Sequence, residues 1–233
     1  MIRFPGFEHL FVMADPVASR PYRGRLCPDT DCFGVSRGEA RPPRNAQVHW
    51  AMGSSTPSDV IWTTNAHPLI VHHRLTDLWA KEQLSGWGTY PVEVFDKDGR
   101  VCHDYAGITV TGRCGVVDLS QSRIELREYP GGHSPEFVGH FFDPESWDGS
   151  DFCVPVPDQL GRSSLRRVVS SGVSRSLRHG KVRNVLLESL SSQRVSTSVY
   201  EIGLTHLLPS DFVQSVATAY NNAGVIPPEQ YRV

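Results

Sequence analysis

The apolar pattern between residues 60 and 192 constrains this chain more than any other feature. Val60-Ile61-Trp62-Thr63-Thr64 is a short β-rich run closed by Asn65, and Pro68 follows near the start of a predicted helix. Val71, Leu75, Leu78 and Trp79 then share one face at helical spacing, up to a stop at Gly86. Tyr90-Pro91-Val92-Glu93-Val94-Phe95 alternates as a strand, Asp96-Lys97-Asp98-Gly99 is a turn, and Ile108-Thr109-Val110-Thr111-Gly112 is a further strand candidate.

A similar unit recurs downstream. Set 98 residues apart, Ile70, Val71, Leu75, Trp79 and Leu84 match Val168, Val169, Val173, Leu177 and Val182. Each copy reads as an amphipathic helix followed, after a gap, by a strand (Pro91 to Phe95; Val185 to Leu190). Periodicity leaves two readings open, a duplicated helix–strand unit or two unrelated helices, because any two amphipathic helices align at some offset. Ser210-Asp211 opens a last helix with Phe212, Val213, Val216 and Tyr220 on one face, and the tail from Pro227 reads as irregular. Residues 1–58, rich in Pro, Gly, Arg and Ser from Pro16 onward, read as an irregular N-terminal arm with one or two short strands, part of the same domain as 59–233. The expected fold class is therefore α+β or α/β, a single domain of short strands with several amphipathic helices.

At 233 residues the chain has ample length for a real core, and 39% hydrophobic with 21% charged residues is an ordinary soluble balance. Met1 to Asp15 lacks the basic region, continuous apolar core and small-residue cleavage site of a signal peptide. No window approaches 18 uninterrupted apolar residues, and five scattered cysteines fit a reducing compartment better than a disulfide framework. A cytoplasmic protein without membrane contact is expected.

The net charge of -2 gives no global reason to expect a polyanionic partner, but its distribution is uneven. Phe142 to Phe152 packs Asp143, Glu145, Asp148 and Asp151 around Trp147, with an Asp148-Gly149 turn and no basic residue. Arg162 to Arg194 holds eight Lys/Arg (Arg162, Arg166, Arg167, Arg175, Arg178, Lys181, Arg183, Arg194) against Glu188 alone. The basic run could neutralise phosphates, but aromatics for base stacking are not interleaved, so a solvated basic face is the better reading and nucleic acid is not an expected partner.

Other chemistry-bearing residues carry weaker signals. Cys27 and Cys32 could form half a zinc site, completed by Cys102, His103 or Cys114, but their spacing is loose and no second cysteine pair follows. His72 and His73 are adjacent and would point to different sides of a helix. Cys114 with His103 and Asp104 offers a nucleophile, a base and an orienter without the local signature of a thiol hydrolase. Gly112-x-x-Gly115 and Gly131-Gly132 lack a phosphate-loop context and read as turns.

The order of segments carries a resemblance. Trp87-Gly88-Thr89-Tyr90-Pro91-Val92-Glu93-Val94, Asp96-Lys97-Asp98-Gly99, Thr109-Val110-Thr111-Gly112-Arg113-Cys114-Gly115 and Ser146-Trp147-Asp148-Gly149-Ser150-Asp151 form a series. A Val-Val-Ser start to a helix (Val168 to Leu177) and an Asn184-Val185-Leu186-Leu187-Glu188 strand follow. Together this resembles immunity protein family eleven of bacterial polymorphic toxin systems, including relatives of the myxobacterial type. The likeness spans about residues 60–192, with Trp147 to Asp151 as its most specific part, and departs between Val156 and Arg167.

The resemblance implies a cytosolic, non-catalytic protein that occludes a cognate toxin's active site or locks its conformation, using no cofactor or metal. Against a basic toxin, Asp143, Glu145, Asp148 and Asp151 would steer association, and Trp147 would be either the aromatic anchor or a structural part of the turn. The alternatives are a small hydrolase using Cys114, His103 and Asp104, and a basic-patch nucleic-acid or regulatory binder using Arg166 to Arg183.

Overall fold

Leu69-Ile70-Val71 has no polar position and is followed by His72, and it folds as a strand rather than as the first turn of a helix. Val168-Val169 does the same. β-branched side chains fit a pleated surface buried on both faces, which is why these runs do not alternate. In both places the helix starts one residue past the strand. The computed structural model describes residues 7, 9–16, 21–27, 32–44, 46–63, 69–157 and 166–232.

The chain divides into two units: His9–Gly115 with Glu145–Glu188, and Met1–Glu8, Val116–Pro144 and Ser189–Val233. The first unit begins with β1 (Leu10–Ala14), β2 (Arg23–Cys27), α1 (Cys32–Ser36), β3 (Ala46–Met52), β4 (Val60–Thr63), β5 (Leu69–His72) and α2 (His73–Lys81). It continues through β6 (Trp87–Phe95), β7 (Val101–Cys102), β8 (Tyr105–Val110) and β9 (Gly112–Cys114). The second unit supplies β10 (Val117–Asp118), β11 (Arg123–Tyr129), β12 (Gly132–Val138) and β13 (Phe141–Phe142). The chain then returns with β14 (Phe152–Pro155), β15 (Arg167–Ser170), α3 (Ser171–His179) and β16 (Leu186–Ser189), and ends with β17 (Arg194–Ser196), α4 (Ser198–Gly203) and α5 (Phe212–Asn222).

The mixed α and β content agrees with the expected class, whereas the described residues of 1–58 form three strands and a short helix, more order than the one or two short strands expected. They contribute β1 to one sheet and β2 and β3 to another. β2 and β3 pair with each other, while β1 and β3 also pair with β15 and β6 far along the chain, which local composition does not encode. Strands β3-β2-β4-β5-β8-β6 lie side by side, and β6 pairs back to β3 in parallel from Ala46↔Val92 to Val48↔Val94, closing a six-stranded barrel. Tyr22, Val48, Ile61, Ile70, Tyr90 and Val94 fill its interior. The opposite faces of β4, β5 and β8 (Val60, Trp62, Leu69, Val71, Ile108, Val110) pack with Leu75 and Trp79 of α2 and Val173 and Leu177 of α3. Phe152, Val154 and Val169 of the second sheet complete this layer.

That second sheet has the order β16-β1-β15-β14-β9. Its centre repeats the geometry of the barrel segment. β4 pairs antiparallel to β5 with Val60↔Val71 and Ile61↔Ile70, and β14 pairs antiparallel to β15 with Phe152↔Val169 and Cys153↔Val168. After α2, Glu82 and Leu84 donate their N–H groups to Leu78 and Trp79; after α3, Gly180 and Val182 donate to Ser176 and Leu177. Gln83 and Lys181, 98 residues apart, both adopt positive φ, 56° and 49°. The matched positions Leu75/Val173, Trp79/Leu177 and Leu84/Val182 all belong to the shared apolar layer.

In the second unit the hairpin β11–β12 and strand β17 form a three-stranded sheet. Ile124, Leu126, Phe137 and Val195 meet Phe212, Val216 and Tyr220 of α5 and Tyr200 of α4. The tail is less irregular than expected, because Glu229–Tyr231 forms a 3-10 turn that buries Tyr231 in the same cluster. Among the described residues no helix is long and apolar enough to cross a membrane.

Gly107 sits on β8 facing the barrel interior, where a Cβ would come within 2.1 Å of the Tyr90 ring. Gly107→Ala is expected to destabilise the fold by about 1–3 kcal/mol through overpacking, read as a lower urea midpoint at unchanged slope.

Candidate functional site

The acidic stretch folds as a turn braced from within. Asp148 accepts hydrogen bonds from the backbone N–H groups of Arg113 (2.7 Å) and Ser150 (2.9 Å), and its own N–H donates to the Arg113 carbonyl. Burial alone would raise the Asp148 carboxyl, but the Ser150 hydroxyl and N–H, the Arg113 N–H and the Arg113 charge outweigh it and hold the group below the usual carboxylate range. Trp147 is half-buried and donates its indole N–H to the Ser150 carbonyl at 3.0 Å.

Asp151 is anchored more firmly. Its carboxylate accepts from the Ser85 N–H (2.9 Å), the Ser85 hydroxyl (3.1 Å) and the Ser170 hydroxyl (2.5 Å). Ser170 in turn caps α3 by accepting from Gly172 and Val173. Thus Asp148 and Asp151 are structural acids that shape the turn, and Trp147 is tied into it. Glu145 and Asp148 remain exposed. Asp143 is also exposed, but it belongs to the second unit, whereas Glu145 to Asp151 belong to the first.

The hydrolase set is not assembled. Cys114 is fully buried on β9, and its sulfur is hydrogen-bonded with Cys153 on β14. That bond first, and burial second, push the Cys153 thiol far above its ordinary range, while Cys114 itself is closed off from solvent. His103 and Asp104 lie exposed before the start of β8, while Cys114 follows its far end. A six-residue strand spans roughly 17–20 Å, beyond any hydrogen-bond reach.

The basic run is also dispersed. Arg167 is buried with its guanidinium 5.8 Å from the Trp62 ring centroid, and burial lowers its pKa to about 10 against an opposing effect of Tyr90. Arg175 and Arg178 are exposed on α3, as a solvated helix face requires. Arg194 belongs to the second unit, where it pairs with Glu125 at 2.5 Å and with the buried Glu136 at 3.5 Å. Arg162 lies outside the described residues, as do the side chains of Cys27 and Cys32 on which the zinc reading depends. Among the described residues no group of three His, Cys, Asp or Glu could hold a metal ion.

Lys181 and Arg183 instead line a cleft of about 670 Å³ together with Asp59, His72, Arg74 and Tyr105. Sequence reasoning missed this grouping because its members come from four separate segments. The one local hint was the Ser58-Asp59 dipeptide before β4, which Ser150-Asp151 repeats before β14. No protein-family model matches the chain, and no curated protein matches it either.

Two outcomes follow from the acidic turn. Asp151→Ala leaves the Ser85 and Ser170 donors unsatisfied and is expected to cost about 1–3 kcal/mol in chemical denaturation. Because the folded Asp148 carboxyl is depressed, its contribution is present above the unfolded value of about 3.9 and is lost as pH falls through the lower folded value. Asp148→Asn should therefore lose less stability than the parent chain on acidification below about pH 4, measured by urea melts across pH.

Proposed function

We propose that this chain is a cytoplasmic immunity protein of the eleventh family that neutralises a cognate bacterial toxin by direct, non-catalytic binding. The observation that carries this reading is the braced acidic turn, in which Asp148 and Asp151 hold the backbone while Glu145 and one edge of Asp148 face solvent with no base in the stretch. A surface held rigid before binding loses little entropy on association, and its negative field accelerates encounter with a basic partner. The wide separation of Cys114 from His103 and Asp104 favours binding over a hydrolytic role. Burial of Arg167 and the dispersal of the other bases weigh against nucleic acid.

The same proposal includes the fold. We take β4–β5–α2 and β14–β15–α3 as two copies of one unit, supported by equal element lengths, equal strand registers and matched hydrogen bonds after each helix.

Co-expression with the product of the adjacent toxin gene tests the function. A stoichiometric complex on size-exclusion chromatography and rescue of growth are expected, with Glu145→Lys slowing association several-fold at low salt and less at high salt. Absence of any complex, with unprotected cells, overturns the proposal.

A further inference from the structure

The cleft around Asp59 is built from the same framework as the region around Asp151 in the same unit, yet it is furnished with different chemistry. The backbone carbonyls of Asp59 and Asp151 accept the N–H groups of His72 and Ser170, both at 2.9 Å, which close β5 and β15. Each carboxylate also accepts a backbone N–H from the turn after the opposite helix: Arg183 to Asp59 at 3.2 Å, and Ser85 to Asp151 at 2.9 Å. Around Asp151 the neighbours at these positions are Ser170, Gly172, Gln83 and Ser85, and the two serine hydroxyls satisfy the acid. Around Asp59 the corresponding residues are His72, Arg74, Lys181 and Arg183. Around Asp151 the turn closes with neutral side chains, whereas around Asp59 it carries four basic ones.

Their arrangement leaves donors without acceptors. Among the described residues Asp59 is the one acid lining the cleft, and it is already engaged by Arg74, through Nε at 2.7 Å and through a second guanidinium nitrogen. Arg74 Nη1 also donates to the Gly180 carbonyl at 3.0 Å, fixing the guanidinium on the cleft wall. His72 Nδ1 accepts the Arg74 N–H at 3.2 Å, which places the imidazole proton on Nε2 as a donor. Tyr105 is only 8% exposed, its ring meets His72 edge-on at 5.2 Å, and it lines the cleft with no side-chain hydrogen bond among the described residues. Burial, reinforced by Cys102, Asp59 and Asp104, pushes the Tyr105 hydroxyl well above its ordinary range, so it is a proton donor at neutral pH. The Lys181 ammonium and the Arg183 guanidinium make no ion pair among the described residues. Lys181 is also held at φ 49°, a left-handed conformation that side-chain-bearing residues adopt at some cost.

Three cations and the Asp59 carboxylate line the cleft, with Asp104 acting on Tyr105 from beside it, so the site keeps a net positive charge suited to an anion. We propose that this cleft binds the phosphate group of a small phosphate monoester, a sugar phosphate or nucleoside monophosphate. The guanidinium groups and Lys181 would hold the phosphate oxygens, Tyr105 and His72 would donate to them, and the remaining volume would take the organic part. The inference does not rest on the toxin-binding reading, because the acidic turn and this cleft share no residue.

The mirror position supplies the test. Lys181→Gln and Arg183→Ser together install the side chains that the Asp151 region already carries at Gln83 and Ser85, and the Arg183 backbone N–H to Asp59 is retained. Isothermal titration at pH 8 and fixed ionic strength, with inorganic phosphate, glucose 6-phosphate and AMP as probes, should give saturable binding to the parent chain. At least one ester should bind more tightly than inorganic phosphate, which also identifies the organic part. The double variant should lose at least tenfold in affinity with its melting temperature unchanged, and Tyr105→Phe should lose several-fold. No binding of any probe, equal affinity in the double variant, or binding of inorganic phosphate with neither ester tighter would each overturn the proposal.

Discussion

Strands β4 and β5 must bury both of their faces, and the rest of the first unit is arranged around that requirement. Ile61 and Ile70 point into the barrel, so the other face, carrying Val60, Trp62, Leu69 and Val71, needs a second apolar layer. α2 and α3 supply it through Leu75, Trp79, Val173 and Leu177, and the second sheet adds Phe152, Val154 and Val169. Trp79 lies at the junction, 4.7 Å from the Phe152 ring and 5.5 Å from the Trp87 ring between centroids. The barrel and the second sheet are thus two sides of one hydrophobic layer, and neither covers its apolar face alone.

The two strand–helix segments are locked to each other by polar contacts as well. Asp59 holds the turn after α3, and Asp151 holds the turn after α2. A carboxylate in such a position satisfies backbone donors that a tight turn leaves open, and it orients whatever side chains the turn carries. In one place the turn carries Gln83 and Ser85, and Ser85 with Ser170 closes the site through hydrogen bonds to Asp151. In the other it carries Lys181 and Arg183, and a cleft remains. The two segments hold their turns with the same kind of carboxylate contact but carry different side chains there.

Several features were legible from residue patterns because they depend on neighbours in the chain. The helical spacing of Leu75 and Trp79 and of Val173 and Leu177, the β-rich runs at Val60 and Ile108, and the Gly131 turn all rest on local propensity and period. The assignment of Val71 and Val169 to helices failed because a hydrophobic residue just before a helix fits either period, and antiparallel pairing with a neighbouring strand decides between them. The strands of the N-terminal region were not visible for a related reason: β1 and β3 take partners far along the sequence, such as Val168 for Val12 and Val92 for Ala46. The acidic stretch was visible as composition, but the division between Asp148 and Asp151 as bracing acids and Glu145 as an exposed one was not.

By itself the sequence determined which segments are amphipathic and where turns interrupt them. These follow from backbone sterics and side-chain polarity over a few residues. Only the tertiary structure decided that six strands close into a barrel, that Cys114 lies buried against Cys153, and that Asp59, His72, Arg74, Tyr105, Lys181 and Arg183 meet in one cleft. Such groupings depend on which distant strands pair and in what register. A shift of one residue in that register turns every side chain to the opposite face, and no local pattern carries that information.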